Sequence, residues 1–261
     1  MSSDKPLSAR LFLLKEMVIR DLRSRYAGSG LGVLWAFALP VLWMFLYTAV
    51  FAVILRAPVE KGYASFPEFL MAGLLPWMAI SEGISRSASA LTDNAAMVKK
   101  TVFPVETLVL SVILAAVVNQ VIGFLVYGIY VAMVGHFSPG WALLALPALF
   151  LQVLLTFGIG CLAATVTTFL RDAVQAISIG LTVVFWATPI VYPAALVPAR
   201  FRPILSANPI THLTEWYRRA FTLHMLPDAG SALYLTVCAV AAAAVGTALF
   251  FRARPHFADL I

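Results

Sequence analysis

A chain of 261 residues that is 62% hydrophobic and only 11% charged is not a soluble globular domain, since such domains carry about 45–50% apolar and about 25% charged residues. Its net charge of +6 fits the orientation of a membrane chain, whose cytoplasmic loops collect Lys and Arg, and gives no reason to invoke nucleic acid. Cys161 and Cys238 both lie in apolar runs, which offers no disulfide framework or zinc site and reads as two small buried apolar residues.

The first 31 residues are charged and lack a continuous apolar stretch, so no cleavable signal peptide is expected. Within residues 8–25, Leu11, Leu14, Val18 and Leu22 recur at helical spacing, with Lys15, Arg20, Arg23 and Arg25 elsewhere around the helix. That pattern predicts an amphipathic helix lying at the membrane interface. Gly28, Gly30 and Gly32 follow as a flexible turn. Their spacing is weak as a nucleotide signal, because no strand precedes it and no acidic partner follows at the required distance.

Residues 32–261 read as one transmembrane domain, because a span needs about 20 predominantly apolar residues and several such runs follow one another. We expect six spans, at about 33–55, 66–91, 108–134, 143–169, 174–191 and 232–251. Six spans place both termini on one side. With the N-terminus inside, the cytoplasmic segments hold Lys5, Arg10, Lys15, Arg20, Arg23, Arg25, Lys99, Lys100, Arg171, Arg252 and Arg254, against Arg56, Lys61, Arg200, Arg202, Arg218 and Arg219 outside. The excess of positive residues selects cytoplasmic N- and C-termini.

Residues 192–230 do not fit a plain six-helix count. Pro193, Pro198, Pro203 and Pro209 break them too often for a span, yet they are too apolar for a free loop. Two short helices, about 197–206 and 210–223, hinged at Asn208-Pro209, are expected, because the residue before a proline is pushed off helical geometry. Such irregular backbone is tolerated at membrane depth only against protein or a watery cavity, so the segment reads as a re-entrant helical hairpin. The small-residue run 239–244 permits close helix approach.

Charges inside spans face the bundle interior or a hydrated path. Glu82 and Arg86 are four apart and share one helix face, so they form either part of a path or gate, or a structural ion pair. Asn119, Gln120 and Gln152 read as interhelical hydrogen-bonding residues. Trp35, Phe37, Trp43, Phe45 and Tyr47 crowd the first span, and Phe185, Trp186 and Tyr192 the end of the fifth. They read either as an interfacial belt or as a stacking surface along which a sugar polymer slides. In the cytoplasmic loop 92–104, Thr92 or Asp93 is placed to cap a short helix ending at Lys99 and Lys100, and Phe103-Pro104 stops it.

Catalytic patterns are missing. His136, His212, His224 and His256 are scattered, and no metal-ligand spacing is present. Neither a phosphate-binding GxxxxGK[ST] string nor HExxH nor GxSxG occurs. The one polar cluster on a membrane face is Glu215 with Arg218 and Arg219, of which Glu215 and Arg219 are spaced for an i,i+4 pair.

Four strings then agree in order and spacing. Arg20–Leu55 resembles the amphipathic helix and first span of the type-2 ABC exporter permeases that move polysaccharides. Asn94–Pro104 is similar to their coupling segment, Leu170–Pro193 to their fourth-to-fifth loop and fifth span, and Asn208–Phe221 to the hairpin before their last span. The resemblance implies a homodimer in the bacterial inner membrane, bound to two copies of a separate ATPase subunit that carries the ATP and Mg. It implies a lipid-linked polysaccharide as cargo, O-antigen or a related capsular or teichoic polymer. It also implies that Arg20, Asp21, Arg23, Arg25, Asn94, Lys99, Lys100, Phe103, Pro104, Arg171 and Asp172 contact the ATPase. First- and fifth-span aromatics would line a channel between protomers, and the pore placement of Glu82 and Arg86 is a further expectation. Competing readings are a small-molecule or drug exporter permease, a glycolipid-modifying membrane enzyme, and an assembly subunit.

Overall fold

The computed structural model describes residues 7–56, 65–99, 103–136 and 140–261. Lys5, Lys61 and residues 100–102, Lys100 among them, lie outside the described residues. Every regular element among those described is helical: α1 (Leu7–Tyr26), α2 (Trp35–Tyr47, continued by π-helical turns Thr48–Ile54), α3 (Phe66–Ser89), α4 (Ala95–Val98), α5 (Glu106–Met133), α6 (Trp141–Phe169), α7 (Ala173–Ala187), α8 (Arg202–Ser206), α9 (Pro209–Arg218, continued by π-helical turns Arg219–Leu223), α10 (Ala229–Ala253) and α11 (Phe257–Leu260). Among the described residues, four stretches are long and apolar enough to cross a membrane: Trp35–Ile54, Glu106–Met133, Leu143–Phe169 and Ala229–Leu260.

A helix that carries three charges stands at the centre of the bundle. α3 carries Glu68, Glu82 and Arg86, yet its apolar residues Phe69, Leu70, Met71, Ala72 and Ile80 are all fully buried. It packs against α5, α6, α7 and α9. Glu68 is enclosed by these neighbours, while Glu82 and Arg86 each keep about a third of their side chain exposed.

Two ends are distinguishable. At one, Arg20 donates to Asn94 (3.0 Å), Thr167 donates to the Ala88 carbonyl, and Arg254 donates to the Phe103 carbonyl (3.3 Å). A buried cluster of Met17, Leu91, Val98, Val105, Leu108, Phe250 and Phe257 knits this end together. At the other end, Ser65 bonds Tyr130 (3.3 Å), His136 bonds Glu68 (2.9 Å), and the Trp216 indole donates to the Leu144 carbonyl (3.1 Å).

α6 and α10 run in parallel and touch at Gly158 and Gly246. A Cβ on either glycine would overlap the backbone of the other helix. Here the small-residue run of α10 does what close helix contact in a membrane requires. Midway across α5 and α6, Gln120 and Gln152 exchange two amide hydrogen bonds (3.1 and 2.6 Å), and the Tyr217 hydroxyl donates to Gln152 (2.8 Å).

The expected fifth span is shorter as a helix. α7 stops at Ala187, because Thr188 precedes Pro189 and is extended (φ −110°, ψ 134°). The unwound residues Thr188, Ile190 and Val191 are buried, so their backbone needs partners from elsewhere. The segment 194–223 breaks at Asn208-Pro209 as expected. Asn208 caps α9 by accepting from the Ile210 amide (3.0 Å), and its side-chain NH2 donates to the Thr188 hydroxyl (2.8 Å). α9 is no surface element: Leu213, Thr214, Tyr217 and Arg218 are buried against α3, α6 and α10. α10 then starts at Asp228, whose carboxylate accepts from the Ser231 amide (2.9 Å). That bond and the Ser231 hydroxyl hold its carboxyl below the usual carboxylate range.

Candidate functional site

Leu74, Trp77, Met78 and Ser81 follow at i, i+3, i+4 and i+7 on α3 and so share one face. That face forms the floor of an open cleft of about 280 Å³. Trp43 and Tyr47 of α2 form one wall, and Leu181, Thr182 and Phe185 of α7 the other. The rings stand in two pairs: Trp43 and Tyr47 are 5.6 Å apart between centres, and Trp77 and Phe185 5.8 Å. Ser81 and Thr182 also line it; their hydroxyls donate to the Met78 and Ser178 carbonyls (both 3.1 Å), which leaves their oxygens to accept. An aromatic surface with a few hydroxyls suits the two sides of a sugar ring, whose C–H faces pack on π-systems while its edges hydrogen-bond.

Of the expected lining residues, Trp43, Tyr47 and Phe185 meet in this cleft. Trp35 and Phe37 lie outside it, and Phe37 is exposed. Trp186 turns outward, resting edge-on against Phe185 (5.1 Å). Tyr192 folds back and donates its hydroxyl to the Trp186 carbonyl (2.6 Å). Trp77 and Met78 went unremarked in sequence, although their spacing with Leu74 and Ser81 marks a single face.

From the cleft the aromatic file continues along α2 to the far end of α3. Tyr47, Phe51, Phe66 and Phe69 follow one another at 6.1–6.2 Å. It ends under Arg218, whose guanidinium carbon lies 3.8 Å from the centre of the Phe69 ring. Arg218 is 2% exposed. It donates to the carbonyls of Phe69 (3.2 Å) and Ile190 (2.7 Å), and so supplies the partner that the unwound end of α7 needs. Arg219 faces the other way and pairs with Glu215 (3.1 Å) and Asp228 (3.7 Å).

Toward the opposite end, Glu82 and Arg86 do more than pair with each other (3.9 Å). Arg86 donates to both carboxylate oxygens of Asp21, and Arg25 pairs with both Glu82 and Asp21. Two helices are thus joined by four alternating charges. On α1 the stripe toward the body is Leu13, Met17, Asp21 and Arg25, at i, i+4 steps; Leu11 stays exposed.

The remaining residues expected to couple to a partner surround this joint. Asn94 bonds Arg20 and also the Ala90 carbonyl (2.9 Å). Thr92 and Asp93 bond back onto the end of α3 instead of capping α4. Arg23, Lys99, Arg171 and Asp172 are exposed, while Phe103 and Pro104 are half-buried. Arg171 shares a cavity of about 380 Å³ with Thr92 and Ala95, so the start of the loop after α3 and the turn between α6 and α7 face one cavity.

The profile of the ABC-2 type transporter family matches residues 13–222, which takes in most of α1, the cleft, the four-charge joint and α9. The chain belongs to this family. It is 31% identical over 252 residues, 95% of each chain, to the O-antigen export system permease protein RfbA of Myxococcus xanthus. It is 30% identical over 258 residues, again 95% of each chain, to a protein of that name from Klebsiella pneumoniae. It is 24% identical over 239 residues to the polysialic acid transport protein KpsM of Escherichia coli, covering 91% of this chain and 92% of that one. An ABC-2 permease is a multi-pass membrane subunit. Within that class α1 and the 92–104 loop form one end of the bundle, and the aromatic cleft lies on its flank.

Proposed function

We propose that this ABC-2 permease moves a lipid-linked polysaccharide, O-antigen in the first instance, across the bacterial inner membrane. The observation that carries the reading is the cleft in which Trp43, Tyr47, Trp77 and Phe185 converge with Ser81 and Thr182. It suits a sugar polymer better than a compact apolar drug, and the cargoes in the relatives' names are both sugar polymers.

In this reading α2, α3, α5, α6, α7 and α10 are the six spans, and both termini are cytoplasmic. The unwound end of α7 completes its span within the protein, and the segment 192–230 re-enters from the outer face. Two copies of the chain face each other across the clefts. Two copies of a separate ATPase subunit, which bind ATP and Mg, dock on the surface made by Arg23, Lys99, Arg171 and Asp172. ATP-driven closure of those subunits pushes on α1 and the 92–104 loop. The four-charge joint passes that push to α3 as a rigid-body displacement, and α3 carries the floor of the cleft. The polymer then slides over aromatic faces that hold any one ring only weakly.

Co-expression of the chain with an ABC ATPase subunit from the same organism tests the reading. The expected result is a stable complex of two copies of each, whose ATP hydrolysis rises when lipid-linked glycan is added. A chain that recruits no ATP-binding subunit, or a complex whose ATPase rate ignores glycan, refutes it.

A further inference from the structure

Because α6 and α10 touch at Gly158 and Gly246, they leave a groove where they separate toward their C-terminal ends. Its volume is about 350 Å³. Its walls are Leu162, Val166 and Phe169 of α6 and Leu249 of α10, and Arg252 and His256 border it mainly through their carbon atoms, with their polar groups toward its rim. Val166, Phe169 and Leu249 are each about half exposed. Arg254, two residues beyond Arg252, is engaged inside the protein by the Phe103 carbonyl and by Glu106 (3.6 Å). Arg252 and His256 take no hydrogen-bond or ion-pair partner among the described residues. The groove thus offers an apolar trough with one permanent cation and one imidazole exposed at its rim.

We propose that this groove binds an anionic glycerophospholipid, with its acyl chains along Val166, Phe169 and Leu249 and its phosphate between Arg252 and His256. Charge complementarity selects this occupant: a basic pocket between membrane helices at the interface fits an anionic headgroup, while a zwitterionic lipid brings its own cation to Arg252. The bound lipid wedges α6 and α10 apart beyond the glycine contact and packs beside the C-terminal segment that clasps Phe103. The site lies away from the aromatic cleft, and it rests on the proposed topology only in assigning the groove to the cytoplasmic leaflet.

Native mass spectrometry of the detergent-purified full-length chain, titrated separately with phosphatidylglycerol and phosphatidylcholine, tests the site. Wild type should retain phosphatidylglycerol preferentially. Arg252→Gln/His256→Gln should lose that preference by about fivefold or more. Leu249→Trp, which fills the trough and keeps both polar groups, should lose it as well. Arg200→Gln, an exposed cation resting on Phe201, should change nothing. Equal retention of both lipids by wild type overturns the proposal, and so does full preference in either groove variant. Displacement of phosphatidylglycerol by equimolar polyprenyl phosphate overturns it too, because the groove would then belong to the cargo's carrier. Labelling of His256→Cys by a membrane-impermeant thiol reagent reports the leaflet separately, so a wrong topology and an absent lipid site give different results.

Discussion

Arg86 of α3 donates to both carboxylate oxygens of Asp21 on α1, 65 residues earlier in the chain, one bond measuring 2.6 Å. Asp21 is 11% exposed and Arg86 34%, so the pair sits between the exposed regime, worth about 0–1 kcal/mol, and the buried one, where breaking a pair costs about 3–5 kcal/mol. Asp21→Asn should therefore destabilise by roughly 1–3 kcal/mol, read as a lower midpoint of thermal unfolding in detergent. Reversing only Glu82 and Arg86 places Arg against Arg25 and Glu against Asp21, and should be worse than either single change. Reversing all four charges together should restore most of the stability and of the polysaccharide at the cell surface. Full recovery by the two-residue reversal would mean that α3 does not depend on α1.

Arg218 and Gly73 form a second coupled pair. A Cβ at residue 73 would lie 2.8 Å from an Arg218 guanidinium nitrogen, and that nitrogen is committed to the Ile190 carbonyl. Gly73→Ala should cost about 1–3 kcal/mol by overpacking. Arg218→Ala should cost at least about 3 kcal/mol, since it leaves buried carbonyls unpartnered. Arg218→Lys should not rescue it, because an ammonium cannot reproduce the planar fork over Phe69. The Gly73→Ala/Arg218→Ala double variant should cost clearly less than the sum of the two. Strict additivity in thermal unfolding would mean the two residues do not interfere.

Removing one ring from the cleft should slow export without unfolding the chain. An aromatic contact worth about 0.5–1.5 kcal/mol corresponds to a fall of about two- to tenfold for Trp43→Ala or Phe185→Ala, at 1.4 kcal/mol per tenfold. Trp43→Phe should retain most of the activity. Phe150→Ala, on an exposed face of α6, should be neutral. The measurement is surface polysaccharide in a strain lacking its own permease; a loss at Phe150 equal to that at Trp43 would reduce the cleft to ordinary lipid-facing bulk.

Two glycines should respond in opposite directions. Gly246→Ala forces α6 and α10 apart along their tightest contact and should destabilise by about 2 kcal/mol or more. Gly180 in α7 has open space where a Cβ would stand, so Gly180→Ala should be neutral or stabilising by about 0.5–1 kcal/mol through helix propensity. Thermal unfolding of the two purified variants decides it.

The helices, the break at Asn208-Pro209 and the close approach of the last helix were legible in sequence because each has a local cause: periodicity, a proline and a run of small residues. The partners of Glu82 and Arg86 were not. Their i,i+4 spacing is a local signal, but Asp21 and Arg25 carry the same spacing on another helix, and only tertiary packing brings the two pairs together. Arg218 and Arg219 are adjacent and look equivalent, yet one is buried on Phe69 and the other meets solvent, because successive helical residues point about 100° apart. The early stop of α7 was available from Thr188-Pro189 but was masked by the apolar residues beyond it, which are buried for reasons other than helicity.

Within α2 as far as Tyr47, the buried positions are Ala36 and Pro40, both small, while Phe37, Phe45 and Leu46 remain outside. A wall held so lightly by its own chain stores little energy in its position. Its place rests on the few side chains that do pack inward, Trp43, Met44 and Tyr47, so the width of the aromatic cleft depends on a handful of contacts with α3 and α5 instead of on a buried layer beneath α2.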